Sequence, residues 1–332
     1  MDKKIEDIIA SLEAKFNGDK THDIEVLRQY CHDLPRSDEN LAIVTAIGHY
    51  VAEKFPDDDA VKEAKKFEES FQRFTQLIDE GQACIKAKQF EGAIEKFMAV
   101  IGEVRPAEAS DRVYCSFVHP FEEMLFRANY TDDKKIERIS SLPLYLYMQT
   151  AGAFFELQRY DEAKDKYNDA LKLNPVSVAV LFELIQIAKV QHDLPEVRRL
   201  LAQVHSLIFT RHYLARFYRE HAGLAMMEEK YQLALCLIYL SMEYEDSGQA
   251  RAQLNSLAKH RGVSLAKPAV DTVKARLGEA GIPVGPEPKV YELAMYIGKQ
   301  LKLISPDAAR MAFSIAYELT HYAPLLKEME SC

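Results

Sequence analysis

Apolar and polar residues alternate along the middle of the chain with the spacing of amphipathic helices. From Tyr160 onward, apolar or small side chains follow at steps of three and four, at Ala163, Tyr167 and Ala170, which places them on one helix face. The run before it has similar spacing, with Tyr147, Ala151, Phe154 and Leu157. A polar turn separates the two runs and Pro175 ends the second, so the pattern predicts two helices joined by a tight turn.

The same pattern of apolar positions recurs along the chain at a nearly constant period. One set lies 70 residues before Tyr160, a second lies 34 residues after it, and a third lies a further 37 residues on. The three sets are Phe90, Ala93, Phe97 and Val100; Leu194, Val197, Leu201 and Val204; and Tyr231, Ala234, Ile238 and Ser241. A period near 34 residues predicts an array of stacked helix pairs.

On these residues the chain resembles the tetratricopeptide-repeat family. The best unit spans 144–177, and weaker units span about 74–107, 178–211 and 215–248. The residues of the best unit in the family's signature positions are Tyr147, Ala151, Phe154, Tyr160, Ala163, Tyr167, Ala170 and Pro175. The family's first-helix tryptophan is replaced by other bulky residues, namely Leu77, Tyr147, Leu181 and Tyr218. The resemblance implies an all-α, right-handed superhelix of stacked helix-turn-helix repeats with a concave groove; a generic helical bundle is the alternative.

Helical extensions are expected on both sides of an array that spans 71–261. Residues 1–70 have the pattern of helices, with Thr21 as the expected N-cap of one of them. An irregular insertion, 108–143, interrupts the array and contains a short helix from Pro120 to about Tyr130. The C-terminal region, 262–332, follows the array and is expected to contain helices near 289–303 and 306–328. Their apolar faces suit a cap on the open end of the array.

Composition and charge narrow the functional classes. Apolar residues make up 48% of the 332 residues and charged residues 28%, as in a globular protein. A net charge of −9 argues against nucleic-acid and acidic-membrane binding. The longest apolar run, Leu233–Leu240, is too short to span a bilayer, and no signal peptide or Cys-x-x-Cys motif is present. We therefore expect a cytoplasmic protein with reduced cysteines.

Catalytic and cofactor motifs are missing from the sequence. It contains no glycine-rich phosphate loop, no zinc-protease histidine motif and no nucleophile elbow of a hydrolase. His205, His212 and His221 lack the spacing of a metal site, and Cys115 with His119 is better explained as a core thiol beside a helix start. The sequence predicts a non-enzymatic protein without a cofactor or a metal.

One basic cluster departs from the acidic average. His212, Arg216 and Arg219 follow one another at steps of four and three, on one helix face that the resemblance places in the concave groove. Such a cluster attracts an acidic or phosphorylated segment or a terminal carboxylate, although a solvated face balanced by Glu220 explains it equally simply. Further groove candidates from the same alignment are Tyr145, Met148, Phe155, Phe182 and Lys189.

The leading functional hypothesis is an interaction scaffold that binds a peptide or protein segment in the groove, with the basic cluster near Arg216 as one anchor; an acidic segment is one partner that such an anchor could bind. A peptide-responsive regulator, whose superhelix changes shape when the ligand binds, is the alternative. Self-association through faces rich in phenylalanine and methionine is a third hypothesis, in which the chain forms a homo-oligomer.

Overall fold

The computed structural model describes residues 3–35, 38–106, 109–130, 132–260 and 264–332, and it confirms an all-α helical repeat fold. The helices are α1 (Lys3–Glu13), α2 (Lys20–Asp33), α3 (Asp38–Lys54), α4 (Asp59–Lys86), α5 (Phe90–Val104), α6 (Pro120–Asn129), α7 (Leu142–Glu156), α8 (Tyr160–Leu173), α9 (Val178–Val190), α10 (Leu194–His205), α11 (Arg211–Met227), α12 (Tyr231–Tyr244), α13 (Gly248–Leu257), α14 (Val270–Glu279), α15 (Pro288–Leu301), α16 (Pro306–Thr320) and α17 (Pro324–Glu330). Two short strands, β1 (Arg112–Cys115) and β2 (Lys135–Arg138), lie on either side of α6 in sequence. No helix in the described ranges is long and apolar enough to cross a membrane.

The chain divides into two compact units, Met1–Asp79 and Glu80–Cys332. In the first unit, α1, α2 and α3 pack around an aliphatic core that consists of Ile9, Leu12, Leu27, Ile43 and Ile47. Helix α2 begins two residues earlier than expected. Its N-cap is Asp19, whose carboxylate accepts the His22 N–H at 2.9 Å, so Thr21 lies inside the helix and does not cap it.

The second unit is built from consecutive helix pairs whose turns share one geometry. In four turns a non-glycine residue adopts the left-handed conformation: Lys88, Gln158, His192 and Glu229, which are 70, 34 and 37 residues apart. These intervals equal the predicted repeat shifts. In each turn the next backbone N–H donates to a carbonyl five residues earlier at 2.8 or 2.9 Å, which is the Schellman pattern at a helix C-terminus.

Small residues let the helices of a pair approach closely where their neighbours are large. A Cβ at Gly81 on α4 would lie 2.5 Å from the Phe97 ring on α5. Outside the array, Gly298 on α15 has the same relation to Phe313 on α16, at 2.6 Å. A methyl group at either position would therefore force the helices apart.

The insertion contains more regular structure than its sequence predicts. Strands β1 and β2 pair in parallel, and α6 matches the predicted short helix to within one residue. The carboxylate of Glu122 accepts hydrogen bonds from the Val118 and His119 N–H groups and from Asn174 Nδ2, at 2.8 to 3.1 Å. This buried carboxylate ties the insertion to the end of α8.

The predicted apolar faces of the C-terminal helices are buried, but against a different surface from the expected one. Helices α15 and α16 form a core with Phe121 and Leu125 of α6 and with Phe209, which precedes α11. The last helix pair, α11 and α12, packs mainly against α13 and α14, and Arg211 at the start of α11 contacts the end of α16. The C-terminal helices thus pack against the helix of the insertion, and the boundaries 1–70, 71–261 and 262–332 remain predictions.

We predict that Gln158→Gly stabilises the second unit. Gln158 is exposed and left-handed, a conformation that costs a residue with a Cβ roughly 1–2 kcal/mol, whereas glycine adopts it freely but loses about 0.5–1 kcal/mol in chain entropy. The midpoint of urea unfolding, followed by circular dichroism, should rise for Gln158→Gly. It should change little for Gln158→Ala and fall for the β-branched Gln158→Val. A lower midpoint for the glycine variant would contradict this account of the turn.

Candidate functional site

Three helices, α9, α11 and α13, surround a polar recess of about 440 Å³. We call it the α11 recess because α11 supplies half of its lining. The lining residues are Gln186, Lys189, His212, Arg216, Arg219, Glu220, Gln249 and Gln253. Four of the eight predicted groove residues, namely Lys189, His212, Arg216 and Arg219, therefore line one recess.

Helix α11 presents its charged residues to the recess because its other side is buried. Phe217 and Tyr218 are completely or almost completely buried. The Tyr218 hydroxyl accepts the Gly285 N–H at 2.7 Å and donates to the Pro283 carbonyl at 3.2 Å, so the 281–287 turn is fastened to α11. With these residues fixed, the helical period directs Arg216, Arg219 and Glu220 toward α9 and α13.

A chain of ion pairs links α9 to α11 across the recess. Lys189 Nζ lies 2.6 Å from Glu220 Oε2, and Arg216 lies 2.9 Å from Glu183 and 3.6 Å from Glu220. The Arg216 guanidinium also stacks on the Phe182 ring, 4.5 Å from its centroid. Two cations and two carboxylates thus alternate, and the charge of this part of the recess is balanced.

A second network joins the start and middle of α11 to the residue after α12. Glu245 accepts from His212 Nδ1 at 3.0 Å with one oxygen and from Arg219 Nη1 at 3.3 Å with the other. The hydrogen bond from His212, assisted by Arg219, lowers the pKa of the Glu245 carboxyl. Arg219 is buried, whereas the side chains of Glu183 and Glu245 are each 35% exposed and lie at the rim.

Two buried amide atoms in the recess have no hydrogen-bond partner within the described part of the chain. They are Gln186 Nε2, a donor, and Gln253 Oε1, an acceptor. The orientation of the Gln253 amide is set by its own Nε2, which donates to the Arg219 carbonyl at 2.9 Å. Both atoms are covered by their surroundings, so a ligand that offers the two missing groups could bond to them once the two side chains rotate into the recess.

The remaining predicted residues do not join this site. Tyr145, Met148 and Phe155 lie on α7, outside the recess lining; the Tyr145 hydroxyl accepts from Gln82 Nε2, and the Phe155 ring contacts Tyr160. Phe182 is completely buried. Its ring packs against the Arg216 guanidinium and has no exposed surface for a ligand.

The sequence interpretation missed the glutamine residues of the recess. Gln186 stands four residues after Phe182 and three before Lys189, so the step rule used on α11 would have found it on α9. Gln249 and Gln253 lie inside the predicted array, 71–261, but after its last predicted unit, 215–248, so they received no position in a repeat. Their separation of four residues on a helix was the available signal.

Among the described residues, no group of three or more His, Cys, Asp or Glu side chains is arranged to hold a metal ion. The polar chemistry of the α11 recess consists of guanidinium, ammonium, imidazole, carboxylate and amide groups. These groups bind by charge and hydrogen bonding.

Comparison with known proteins adds little to this description. No family model and no curated protein matches the chain. A solved structure, the crystal structure of the APC/C hetero-tetramer Cut9-Hcn1, is similar with 12% identity and a TM-score of 0.39. The match covers 97% of this chain, which spans only 57% of the length of that one. The description of the fold therefore depends on the repeated helix pairs of the chain itself.

The buried side of α11 contains one histidine that predicts acid sensitivity. Burial, reinforced by nearby His205, lowers the pKa of His221 from 6.5 to about 4. Between these values the unfolded chain binds more protons than the folded one, so stability falls as the pH decreases from 6.5 to 4. The loss should approach about 3 kcal/mol, from 1.36 kcal/mol per pKa unit.

We predict that His221→Phe reduces this loss. The unfolding midpoint, measured in urea at intervals between pH 7 and pH 4, should fall less steeply for His221→Phe than for the unaltered protein. His32→Phe is the matched control, since the His32 side chain is 82% exposed, and it should leave the slope unchanged. Equal slopes in all three proteins would refute the role of His221.

Proposed function

We propose that the chain is a non-enzymatic interaction scaffold of the cytoplasm that binds an extended segment of a partner protein at the α11 recess. The observation that supports this function best is the pair of unsatisfied buried atoms, Gln186 Nε2 and Gln253 Oε1. The peptide group of an extended segment carries a carbonyl and an N–H that neither helix nor sheet uses. It therefore offers the acceptor and the donor that these two amides lack.

An acidic residue in the segment would complete the interaction. The lining has three permanent cations, Lys189, Arg216 and Arg219, and only one carboxylate, Glu220. The other two carboxylates, Glu183 and Glu245, stand at the rim, where an ion pair contributes only about 0–1 kcal/mol. A ligand carboxylate can replace either of them at small cost. Arginine can bind that carboxylate through a planar, bidentate pair of hydrogen bonds.

Without a ligand, the unsatisfied amides destabilise the protein. A buried donor or acceptor that loses its water without gaining a partner costs about 1–3 kcal/mol. A binding site recovers this free energy when the ligand supplies the missing partner. The glutamines therefore favour a role in binding over a role in folding.

We predict that Gln186→Met raises stability and lowers affinity. Methionine has nearly the same length and fills the same space, so the substitution removes the unpaired Nε2 and should raise the free energy of unfolding by about 1 kcal/mol. The matched control is Gln232→Met, on the exposed surface of α12, and it should change neither stability nor affinity. A Gln186→Met protein less stable than the unaltered one would show that the amide has a structural partner.

The binding test uses a displayed library of random linear peptides selected on the unaltered protein. The enriched peptides should contain Asp or Glu, and their affinity should fall at least tenfold, or about 1.4 kcal/mol, for Arg216→Gln and for Gln186→Met. Gln232→Met should bind like the unaltered protein. No enrichment, or equal affinity for all four proteins, would reject the α11 recess as the binding site.

A second function, the peptide-responsive regulator, is favoured by the location of the ion pairs. Glu183 and Glu245 hold α11 to the preceding pair and to the end of its own pair. A ligand carboxylate that replaces them would release α11 from these contacts and alter the angle between pairs. We expect a change in the radius of gyration, measured by small-angle scattering, when a selected peptide is added. An unchanged radius would contradict the regulator and favour a scaffold whose shape stays the same.

A further inference from the structure

Helix α4 contains an exposed stretch. Every residue from Lys62 to Glu69 is exposed, which is more than two turns, so no face of the helix is buried there. Two large apolar side chains lie in or next to this stretch, with Phe67 73% exposed and Phe71 61% exposed. An exposed helix normally presents polar residues to solvent on all sides, and these two residues break that rule.

The exposed rings belong to a longer and regular stripe. Six small or apolar residues of α4 follow one another at alternating steps of four and three: Ala60, Ala64, Phe67, Phe71, Phe74 and Ile78. Steps of four and three repeat every seven residues, which is the pattern of the contact seam between two paired helices. We call Phe67, Phe71, Phe74 and Ile78 the α4 seam.

The charges beside the α4 seam distinguish between the two ways in which it could meet a copy of itself. Glu63 and Glu68 occupy the two positions that flank such a seam, whereas Lys65 and Lys66 lie farther from it. In a parallel pair, Glu63 of one copy would face Glu68 of the other, and like charges repel. In an antiparallel pair, Glu68 faces the neutral Thr75 of the other copy.

The antiparallel arrangement also matches the side chains of the seam in size. In this arrangement Phe67 of one copy lies opposite Ile78 of the other, and Phe71 lies opposite Phe74. The two-fold symmetry makes each of these contacts occur twice. A two-fold axis between the helices thus fills every layer with two large apolar side chains. An aromatic pair in such a layer adds about 0.5–1.5 kcal/mol beyond its buried area.

From this geometry we propose that the α4 seam is a self-association surface, at which two copies of the chain pair through antiparallel α4 helices. The occupant is a second copy because one stripe is complementary to itself in this direction and meets no like charge. An aromatic residue buries about 150–250 Å². The partly exposed rings of two copies therefore bury less than the roughly 1,200–2,000 Å² of a stable interface. The dimer is accordingly reversible and dissociates on dilution.

The experiment measures the mass of the full chain by sedimentation over about two decades of protein concentration. The mass should rise from 37.9 kDa toward twice that value as concentration increases. Phe67→Glu/Phe71→Glu should stay monomeric throughout, and circular dichroism should show unchanged helicity because both rings are exposed. A monomeric unaltered protein at every concentration would overturn the proposal.

The matched control changes two other exposed apolar residues. Leu303 is 96% exposed and Ile304 79% exposed, between α15 and α16. Leu303→Glu/Ile304→Glu adds the same charge and removes the same kind of surface, so it should dimerise like the unaltered protein. If this variant becomes monomeric while Phe67→Glu/Phe71→Glu still dimerises, the interface lies at the C-terminal helices and the α4 seam is rejected.

Cysteine cross-linking tests the direction of the pair, with the unaltered protein and its five cysteines as the baseline. In the antiparallel arrangement, Phe67→Cys/Ile78→Cys should form a covalent dimer under mild oxidation, and Phe67→Cys alone should not. A covalent dimer of Phe67→Cys alone would indicate parallel helices and overturn the proposed geometry. The absence of a covalent dimer in the double variant would overturn it as well.

Discussion

The left-handed turn inside each helix pair is the constraint on which the array depends. It reverses the chain in a few residues and satisfies carbonyls at the end of the first helix, so the second helix returns antiparallel against the first. Because Lys88, Gln158, His192 and Glu229 repeat this turn, the first helices of successive pairs have equivalent positions in the array. The α11 recess follows in part from that repetition, since α9 and α11, the first helices of two successive pairs, both contribute to it.

The electrostatics of the recess differ from those of an open basic patch. Each cation already has a carboxylate partner, so long-range attraction of an acidic ligand is weak, and selection depends on short-range exchange of partners. The unsatisfied amides of Gln186 and Gln253 add a directional requirement that charge alone lacks. Recognition of this kind favours a segment with the correct backbone geometry over any acidic polymer.

The sequence predicts the array better than the site. The array is visible in local patterns of apolar residues, whereas the site depends on contacts between residues that lie far apart in the chain. Apolar positions such as Tyr160 and Tyr231 repeat because every pair buries the same face, and this local pattern predicts the period correctly. The partner of Arg216 is Glu183, 33 residues away, and only the packed helices bring them together. Strands β1 and β2 escape prediction for a similar reason: each has only four residues, and each needs its partner across α6.

The α11 recess and the α4 seam use opposite physical interactions, which makes them separable in solution. Binding at the recess exchanges one carboxylate for another beside arginine, so added salt weakens it by screening. Pairing at the α4 seam buries aromatic rings and brings no like charges together, so salt affects it little, whereas cooling weakens its hydrophobic contribution. Added salt therefore weakens binding at the recess and cooling weakens pairing at the α4 seam. This difference allows either surface to be studied in the full chain while the other is suppressed.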